Sequence, residues 1–297
     1  MRVLVMHNPT AGDEEHGPET LNGLLEGAGH DVTWRSTKDS DWERALDEPA
    51  ELVVAAGGDG TVRKVFRQLA GKDVPATILP LGTANNIARS LGVDGEDPAE
   101  LIQGWEEGRL RPYDIWSLES GGAETLVVES AGVGLLADLL VRAEENDSDP
   151  PDKIEQGLRL LLDSLGDSTA RPWTLKLDGE SFSADLLGLD VMNVSEAGPQ
   201  IPLAPEADPG DGALDVVLIR RDDGEALRGY VEERLAGGSP KPPTFDVRHT
   251  TTVLVELHDS PVRVDDEVLG KSPAGEGRGT VSIRPAAQVQ VLLPDGG

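Results

Sequence analysis

Leu52-Val53-Val54-Ala55-Ala56-Gly57-Gly58-Asp59-Gly60-Thr61-Val62-Arg63-Lys64-Val65-Phe66-Arg67-Gln68-Leu69 is the stretch that decides the fold. Its first five residues form an apolar run of strand length, and a glycine turn follows. Beyond the turn, Val62, Val65, Phe66 and Leu69 recur at i, i+3, i+4 and i+7, one apolar stripe of an amphipathic helix. Glycines between a buried strand and a helix bring backbone N–H groups against an anion at the positive helix end, so the loop outlines a nucleotide-phosphate site. It has neither the lysine of a Walker loop nor the spacing of the dinucleotide fingerprint. An aspartate at its centre serves a ribose hydroxyl or a metal beside the phosphates, or else Asp59 is the helix cap of a tight turn; both readings stay open on this loop alone.

Outward from it, strand and helix patterns alternate. Arg2 to Met6 reads as a strand closed by Asn8-Pro9-Thr10-Ala11-Gly12, followed by a helix around Glu19 to Ala28, a strand at Val32 to Trp34 and a helix near Asp41 to Leu46. Ile78 and Leu79 give a further strand, Ile87, Ala88 and Leu91 the next helix, and Leu101 to Trp105 completes the pattern. This order predicts βαβ units and a parallel sheet in a domain over residues 1–110. A second glycine loop, Leu79-Pro80-Leu81-Gly82-Thr83-Ala84-Asn85-Asn86, again ends a strand and starts a helix. It places Gly82, Thr83 and Asn85 where the carboxyl ends of the strands converge, and Asn8 joins the same rim. Ligands of open parallel sheets bind in that crevice.

From about Arg111 the pattern changes to short runs rich in Val and Leu: Ile115 to Leu118, Leu126 to Val128, Trp173 to Leu177, Leu186 to Val194, Leu214 to Ile219, Val253 to Leu257, Val281 to Ile283 and Val289 to Leu292. They predict an antiparallel sandwich over 111–297, with the extreme C-terminus packing back on the first domain. The fold class is therefore α/β plus all-β: an N-terminal three-layer α/β nucleotide-binding domain and a C-terminal β-sandwich with inserted helices. Those helices are Leu135 to Ala143 and Ile154 to Leu165, separated by a polar loop, Glu144 to Asp152, expected to be mobile. Their leucines are read as core rather than as a lipid entrance.

Composition narrows the function classes. Lys+Arg of 26 against Asp+Glu of 55 gives a net charge of -29, which works against nucleic-acid binding because each phosphate contact needs a cation. No run approaches the roughly 18 apolar residues of a membrane span, and no signal-peptide core is present, so a cytoplasmic protein is expected. With no cysteine, disulfides, thiolate metal sites and cysteine nucleophiles are excluded. Only seven of the basic residues are lysine, a balance that resembles proteins of salt-accumulating organisms, with a plain acidic mesophilic protein as the alternative. At molar salt the Debye length falls to about 3 Å and screens the self-repulsion, so stability is expected to rise with salt. His7, His16, His30, His249 and His258 show no metal-binding spacing and read as surface or loop residues.

Asn8-Pro9-Thr10-Ala11-Gly12, Gly57-Gly58-Asp59-Gly60-Thr61 and Pro80-Leu81-Gly82-Thr83-Ala84-Asn85 resemble, in order and spacing, the motifs of the diacylglycerol kinase and sphingosine kinase catalytic-domain family. Pro202-Leu203-Ala204-Pro205, Asp211-Gly212-Ala213-Leu214-Asp215-Val216 and Val264-Asp265-Asp266-Glu267 resemble its later motifs, so the similarity covers nearly the whole chain. The resemblance implies ATP-dependent transfer of a phosphoryl group to a diacylglycerol-like or sphingoid-like hydroxyl in the cleft between two domains. It implies ATP and Mg²⁺ as cofactors and a place in phospholipid biosynthesis. Nucleotide and lipid are the expected partners, the lipid met at a membrane surface by peripheral contact, and a homodimer stays open. The nucleotide loops are Asn8, Gly57, Gly58, Asp59, Gly60, Thr61, Gly82, Thr83 and Asn85. Asp265 falls on the family's aspartate and is the expected general base, while Glu267 places Mg²⁺ or orients that base.

Asp211 falls where some relatives hold a structural divalent ion. Three departures bear on the charge balance. Asp266 replaces a glycine and forbids easy positive φ, Asn86 stands where many relatives have aspartate, and Asp13-Glu14-Glu15 stand where many have a basic residue. Arg63 and Lys64 are the candidates to compensate. The alternatives are an NAD-kinase-like enzyme of a soluble substrate, and a nucleotide-binding regulatory protein without turnover.

Overall fold

The computed structural model describes residues 1–10, 17–145, 152–257, 260–269 and 279–294. The expected mobile loop falls largely on 146–151, outside the described residues. The chain divides into two compact units, Met1–Ile115 with Ala287–Gly297, and Trp116–Ala286.

The first unit contains β1 (Arg2–His7), α1 (Pro18–Gly27), β2 (Asp31–Ser36), α2 (Trp42–Ala45), β3 (Leu52–Gly57), α3 (Asp59–Leu69), β4 (Ala76–Pro80), α4 (Asn86–Ser90), α5 (Pro98–Gly104) and the start of β5 (Arg109–Ser120). Its strands run parallel in the order β2-β1-β3-β4. Every residue of β3 is buried, as a central parallel strand covered on both faces requires, and this is why it reads as an uninterrupted apolar run. The register sets His7 opposite Ala56 and Gly57 opposite Pro80, so the loops after β1, β3 and β4 emerge at one edge. Val62, Val65, Phe66 and Leu69 of α3 are buried, and Phe66 meets Tyr113 edge to face at 5.0 Å. The C-terminal end of the last strand, β18 (Thr280–Leu293), is stitched into this unit: Val291 pairs with Ala76, and the Thr77 hydroxyl donates to the Leu292 carbonyl at 2.8 Å.

The second unit continues with β6 (Ala123–Val127), β7 (Ser130–Gly134), α6 (Leu135–Glu145), α7 (Lys153–Asp167), β8 (Arg171–Leu177), β9 (Glu180–Leu186), β10 (Gly188–Met192), β11 (Glu196–Ala197), β12 (Ile201–Pro202) and β13 (Leu214–Ile219). After these come α8 (Arg221–Leu235), β14 (Asp246–Thr250), β15 (Val253–Glu256), β16 (Val262–Val264), β17 (Glu267–Leu269) and β18 (Thr280–Leu293). An antiparallel sheet in the order β14-β13-β10-β7-β16-β17 faces a second formed by β18, β15, β8 and β9 with β5 and β6. Between them lies a core that includes Trp116, Trp173, Leu189, Val216, Leu218 and Val264. Side chains alternate across each strand, so Val217 and Ile219 point away from that core and pack instead with Leu135, Leu161 and Leu227 in a second apolar cluster. The leucines of α6 and α7 fill this cluster.

Several elements differ from the sequence expectation, and β7, β14, β16 and β17 have no counterpart among the predicted runs. The run Leu186 to Val194 is not one strand: it holds the end of β9 and all of β10. The runs at 281–283 and 289–292 are one strand of 14 residues, β18, which continues through Arg284-Pro285-Ala286. Helix α8 has no counterpart among the predicted helices. Its buried stripe is only Gly224, Leu227 and Val231, too sparse for periodicity to show, although acids in its first turn and Arg234 in its last are helix-end signals.

Candidate active site

In the first unit the two glycine loops touch backbone to backbone. A Cβ on Gly82 would collide with the Gly58 Cα and come within 2.6 Å of Asn85 Oδ1; one on Gly58 would lie 3.0 Å from the Gly82 Cα. The Leu81 N–H donates to the Gly57 carbonyl at 3.1 Å, tying the same loops. Asp59 completes the join. Although it opens α3, its carboxylate accepts from the Asn86 and Ile87 N–H groups at 3.1 and 3.0 Å, at the start of α4. The cap reading fails for α3, whose N-cap is Gly58 with no side-chain cap bond; the carboxylate serves the start of α4 instead. Burial pushes the Asp59 carboxyl up from its ordinary value, against the downward pull of the Ile87 and Asn86 amides and of Arg63; nearby Asp94 adds to the rise.

Asn85 has φ of 52°, a left-handed conformation that asparagine tolerates. Its side chain bridges the loop, accepting from the Gly82 N–H at 3.1 Å and donating to the Gly82 carbonyl at 3.0 Å and to Asp94 Oδ1 at 2.9 Å. Asn8 closes its own turn, accepting from the Thr10 N–H and hydroxyl. Thr61 is buried over Gly57, where a Cβ would collide with its hydroxyl. Gly60 and Thr83 are exposed. Of the two compensating cations, Arg63 is buried beside Asp59. Lys64 is committed elsewhere, donating to the Thr37 carbonyl at 3.3 Å and lying over the Trp42 ring. Asp94, which also pairs with Arg89, was not singled out in the sequence; nothing in a lone turn aspartate nine residues beyond Asn85 marks it.

In the second unit Asp265 is buried, with φ of 53°. Its Oδ1 accepts from the Glu129 and Ser130 N–H groups at 2.8 and 3.1 Å, and the Val128 N–H reaches both oxygens at 3.3 Å. The Asp265 N–H donates to the Ser130 carbonyl at 2.7 Å. The same segment is gripped through Asn193, whose Nδ2 donates to the Val128 carbonyl and whose N–H donates to that of Glu129. Asp266 and Glu267 are exposed. The concern that Asp266 forbids positive φ resolves differently: the left-handed residue of this two-residue turn is Asp265 itself, and Asp266 has no positive φ.

Asp211 accepts from the Ala213 N–H at 2.9 Å in a local turn, and His249 approaches it at 3.5 Å and Asp215 at 3.3 Å. Among the described residues no group of three or more His, Asp or Glu is placed to hold a metal. Of the histidines read as surface or loop residues, His30 lies in the loop between α1 and β2 but is buried against Trp105, rings 5.9 Å apart, and burial lowers its pKa. His7 is half-buried and hydrogen-bonds the Arg35 carbonyl through Nδ1. Asp13, Glu14, Glu15, His16 and His258 lie outside the described residues.

A parallel α/β unit with glycine loops at its strand ends and a helix-backed β-sandwich unit define a two-unit kinase class. The family described as diacylglycerol kinase catalytic domain matches residues 2–118, and the one described as YegS C-terminal NAD kinase beta sandwich-like domain matches 133–292. The chain belongs to this family of diacylglycerol-kinase-type lipid kinases, and is a phosphotransferase with an alcohol acceptor. It is 30% identical to a probable lipid kinase YegS-like of Pseudomonas aeruginosa, over 99% of this chain and 94% of that protein. It is 29% identical to a diacylglycerol kinase of Mycobacterium tuberculosis, over 84% of this chain and 79% of that protein. The crystal structure of a putative diacylglycerol kinase from Bacillus anthracis shares the fold, with a TM-score of 0.71 at 20% identity over 99% of this chain and 97% of that one. The family is one of kinases that use ATP, with nucleotide and lipid as substrates. No helix among the described residues is long and apolar enough to cross a membrane.

Proposed function

We propose that the chain transfers the terminal phosphoryl group of ATP to a diacylglycerol-like or sphingoid-like hydroxyl, with residues 1–110 binding nucleotide and 111–297 binding the acceptor. Asn8, Gly57, Gly58, Gly60, Thr61, Gly82, Thr83 and Asn85 form the nucleotide loops, and Asp59 locks them together. The exposed rim at Gly60 and Thr83 suits phosphates, since α3 directs its positive end there. Mg²⁺ would neutralise phosphate charge; exposed Glu267 suits it better than Asp59, whose two oxygens already serve amides. Asp265 takes the proton of the acceptor hydroxyl.

One observation carries the assignment of Asp265. Three successive N–H groups hold its carboxylate inside the fold, so it is oriented before substrate arrives. Oδ1 takes the shorter bonds, from the Glu129 and Ser130 N–H groups, and Oδ2 is the oxygen assigned to the proton.

The test is ATP consumption with a panel of diacylglycerols, sphingoid bases, NAD and no acceptor, at low and molar salt, with nucleotide binding measured in parallel. Turnover that depends on a lipid hydroxyl is expected. Nucleotide binding with no acceptor-dependent turnover would select the regulatory reading instead.

A further inference from the structure

Beside Asp265 lies a buried ion pair between Arg263 and Asp190. Asp190 of β10, Gly132 of β7 and Arg263 of β16 are in register across three adjacent strands. Their neighbours Leu189, Val133 and Val264 face the sandwich core, so alternation puts all three on the opposite face of the sheet. Arg263 reaches across Gly132 to Asp190, with Nη2 2.7 Å from Oδ1, and both side chains are almost wholly buried. A Cβ at Gly132 would collide with that same oxygen; the glycine keeps the passage open. The other terminal nitrogen of Arg263, Nη1, donates to the Asp265 carbonyl at 2.8 Å and to the Ser130 hydroxyl at 3.0 Å.

This arrangement is poorly explained as a device for stability. Desolvating two charges opposes their attraction, and Asp190 Oδ2 and Arg263 Nε have no hydrogen-bond partner among the described residues, a further cost. What the pair does achieve is a fixed guanidinium at the backbone of a left-handed aspartate. The fork presents rigid, coplanar donors, so Asp190 on one arm sets where the other arm holds the Asp265 carbonyl.

We propose that Arg263, anchored by Asp190, is a positioning residue for phosphoryl transfer: it holds the left-handed turn at Asp265 and so aims that carboxylate. The proposal rests on Asp265 as the base.

The test compares wild type, Asp265→Asn, Arg263→Lys, the apolar double variant Arg263→Met/Asp190→Leu, and Arg263→Lys in the Asp265→Asn background. Melting temperature, ATP affinity, and kcat and KM for the lipid acceptor are measured on each full chain. The double variant is expected to melt near wild type and to bind ATP and lipid normally, while kcat falls by about 10²-fold, the usual effect of a small misplacement. Arg263→Lys keeps the charge but cannot reach both partners, and kcat is expected to fall about tenfold or more. In the Asp265→Asn background the lysine should cost nothing further, because it acts through a base already removed. A folded double variant or Arg263→Lys with wild-type kcat overturns the proposal, as does a lysine effect that persists undiminished without the Asp265 carboxylate. Should the double variant not fold, Arg263→Lys alone and in that background decides. Wild-type turnover by Asp265→Asn itself would instead remove the base assignment, whatever Arg263 does.

Discussion

The carboxylate of Asp59 in the first unit and that of Asp265 in the second both accept consecutive backbone N–H groups from a distant segment, Asn86 and Ile87 in one case, Val128 to Ser130 in the other. Their surroundings are built by opposite means. Around Asp59 the loops close because side chains are missing: Gly58 and Gly82 let two backbones meet. Around Asp265 the turn is held by side chains that are present, with Arg263 and Asp190 buried beneath it. The first design leaves an exposed rim of amides and small residues, suited to a phosphate chain; the second fixes one acidic group, suited to a single proton.

The largest expected effect is at the second site. Asp265→Asn keeps shape and most hydrogen bonds while removing basicity, so nucleotide affinity should hold and turnover fall by roughly 10²- to 10⁴-fold. Asp266→Asn, exposed and next in the chain, should matter far less. If steady-state kinetics rank the two the other way, Asp265 is only a structural clamp and the contrast with Asp59 collapses.

Gly82→Ala probes the opposite design. With backbone on the other side, the added methyl must part the loops, at an expected cost of about 1 to 3 kcal/mol and with weaker ATP binding. Thermal melts and nucleotide titration measure both. An unchanged protein would mean that the loop crossing is looser than its geometry.

Smaller again is the effect of Asp59→Ala, which leaves two amides of α4 without their acceptor and should destabilise by about 1 kcal/mol, as losing a cap does, while lowering nucleotide affinity. Its pH dependence has a definite sign. Because the folded-state pKa of Asp59 is raised by burial, the folded protein holds this proton more tightly than the unfolded chain does. Its contribution is most favourable at low pH and declines as pH rises through the folded value. The melting-temperature gap between wild type and Asp59→Asn should therefore narrow from about pH 4 toward neutrality. A gap that widens would show that the amides and Arg63 outweigh burial.

The smallest effect belongs to Asp178, a third aspartate with positive φ or clustered amide bonds. It is exposed, and it accepts from the Thr251 and Thr252 N–H groups and hydroxyls. The Thr251 hydroxyl foremost, with the amides, lowers its pKa to about 2. Similar bonds thus move Asp178 down while burial carries Asp59 up. Since the folded value lies below the ordinary 3.8, the stabilisation is present above about pH 4 and lost as pH falls toward 2. Asp178→Ala should lower the melting temperature slightly at pH 7 and show a shrinking difference in acid titration; a constant difference would exclude the charge as its source.

Much of the first unit was legible because its signals are local. The alternation of strand and helix patterns, the stripe on α3 and the glycine loops at strand ends all depend on neighbours in sequence. The second unit was legible as a sandwich by its many short apolar runs, yet its edges were not. Only geometry separates β9 from β10 within one apolar run, or keeps β18 extended through Pro285. Helix α8 stayed hidden because one narrow stripe is enough to bury it against the sheet.

By itself, the sequence determined which residues form the two glycine loops, their order along the chain and the motif around Asp265, since turn chemistry and hydrophobic period act over a few residues. The tertiary structure decided what those residues do to one another. It made Asp59 the cap of α4, 27 and 28 residues away, and gave Asp265 to the amides of 128–130 across more than 130 positions. It also brought Arg263 to Asp190, 73 positions away, over a glycine that looks like any other in the sequence. The physical reason is register: in a sheet, the partner of a side chain is set by how distant strands align, and no local preference of the residue records that alignment.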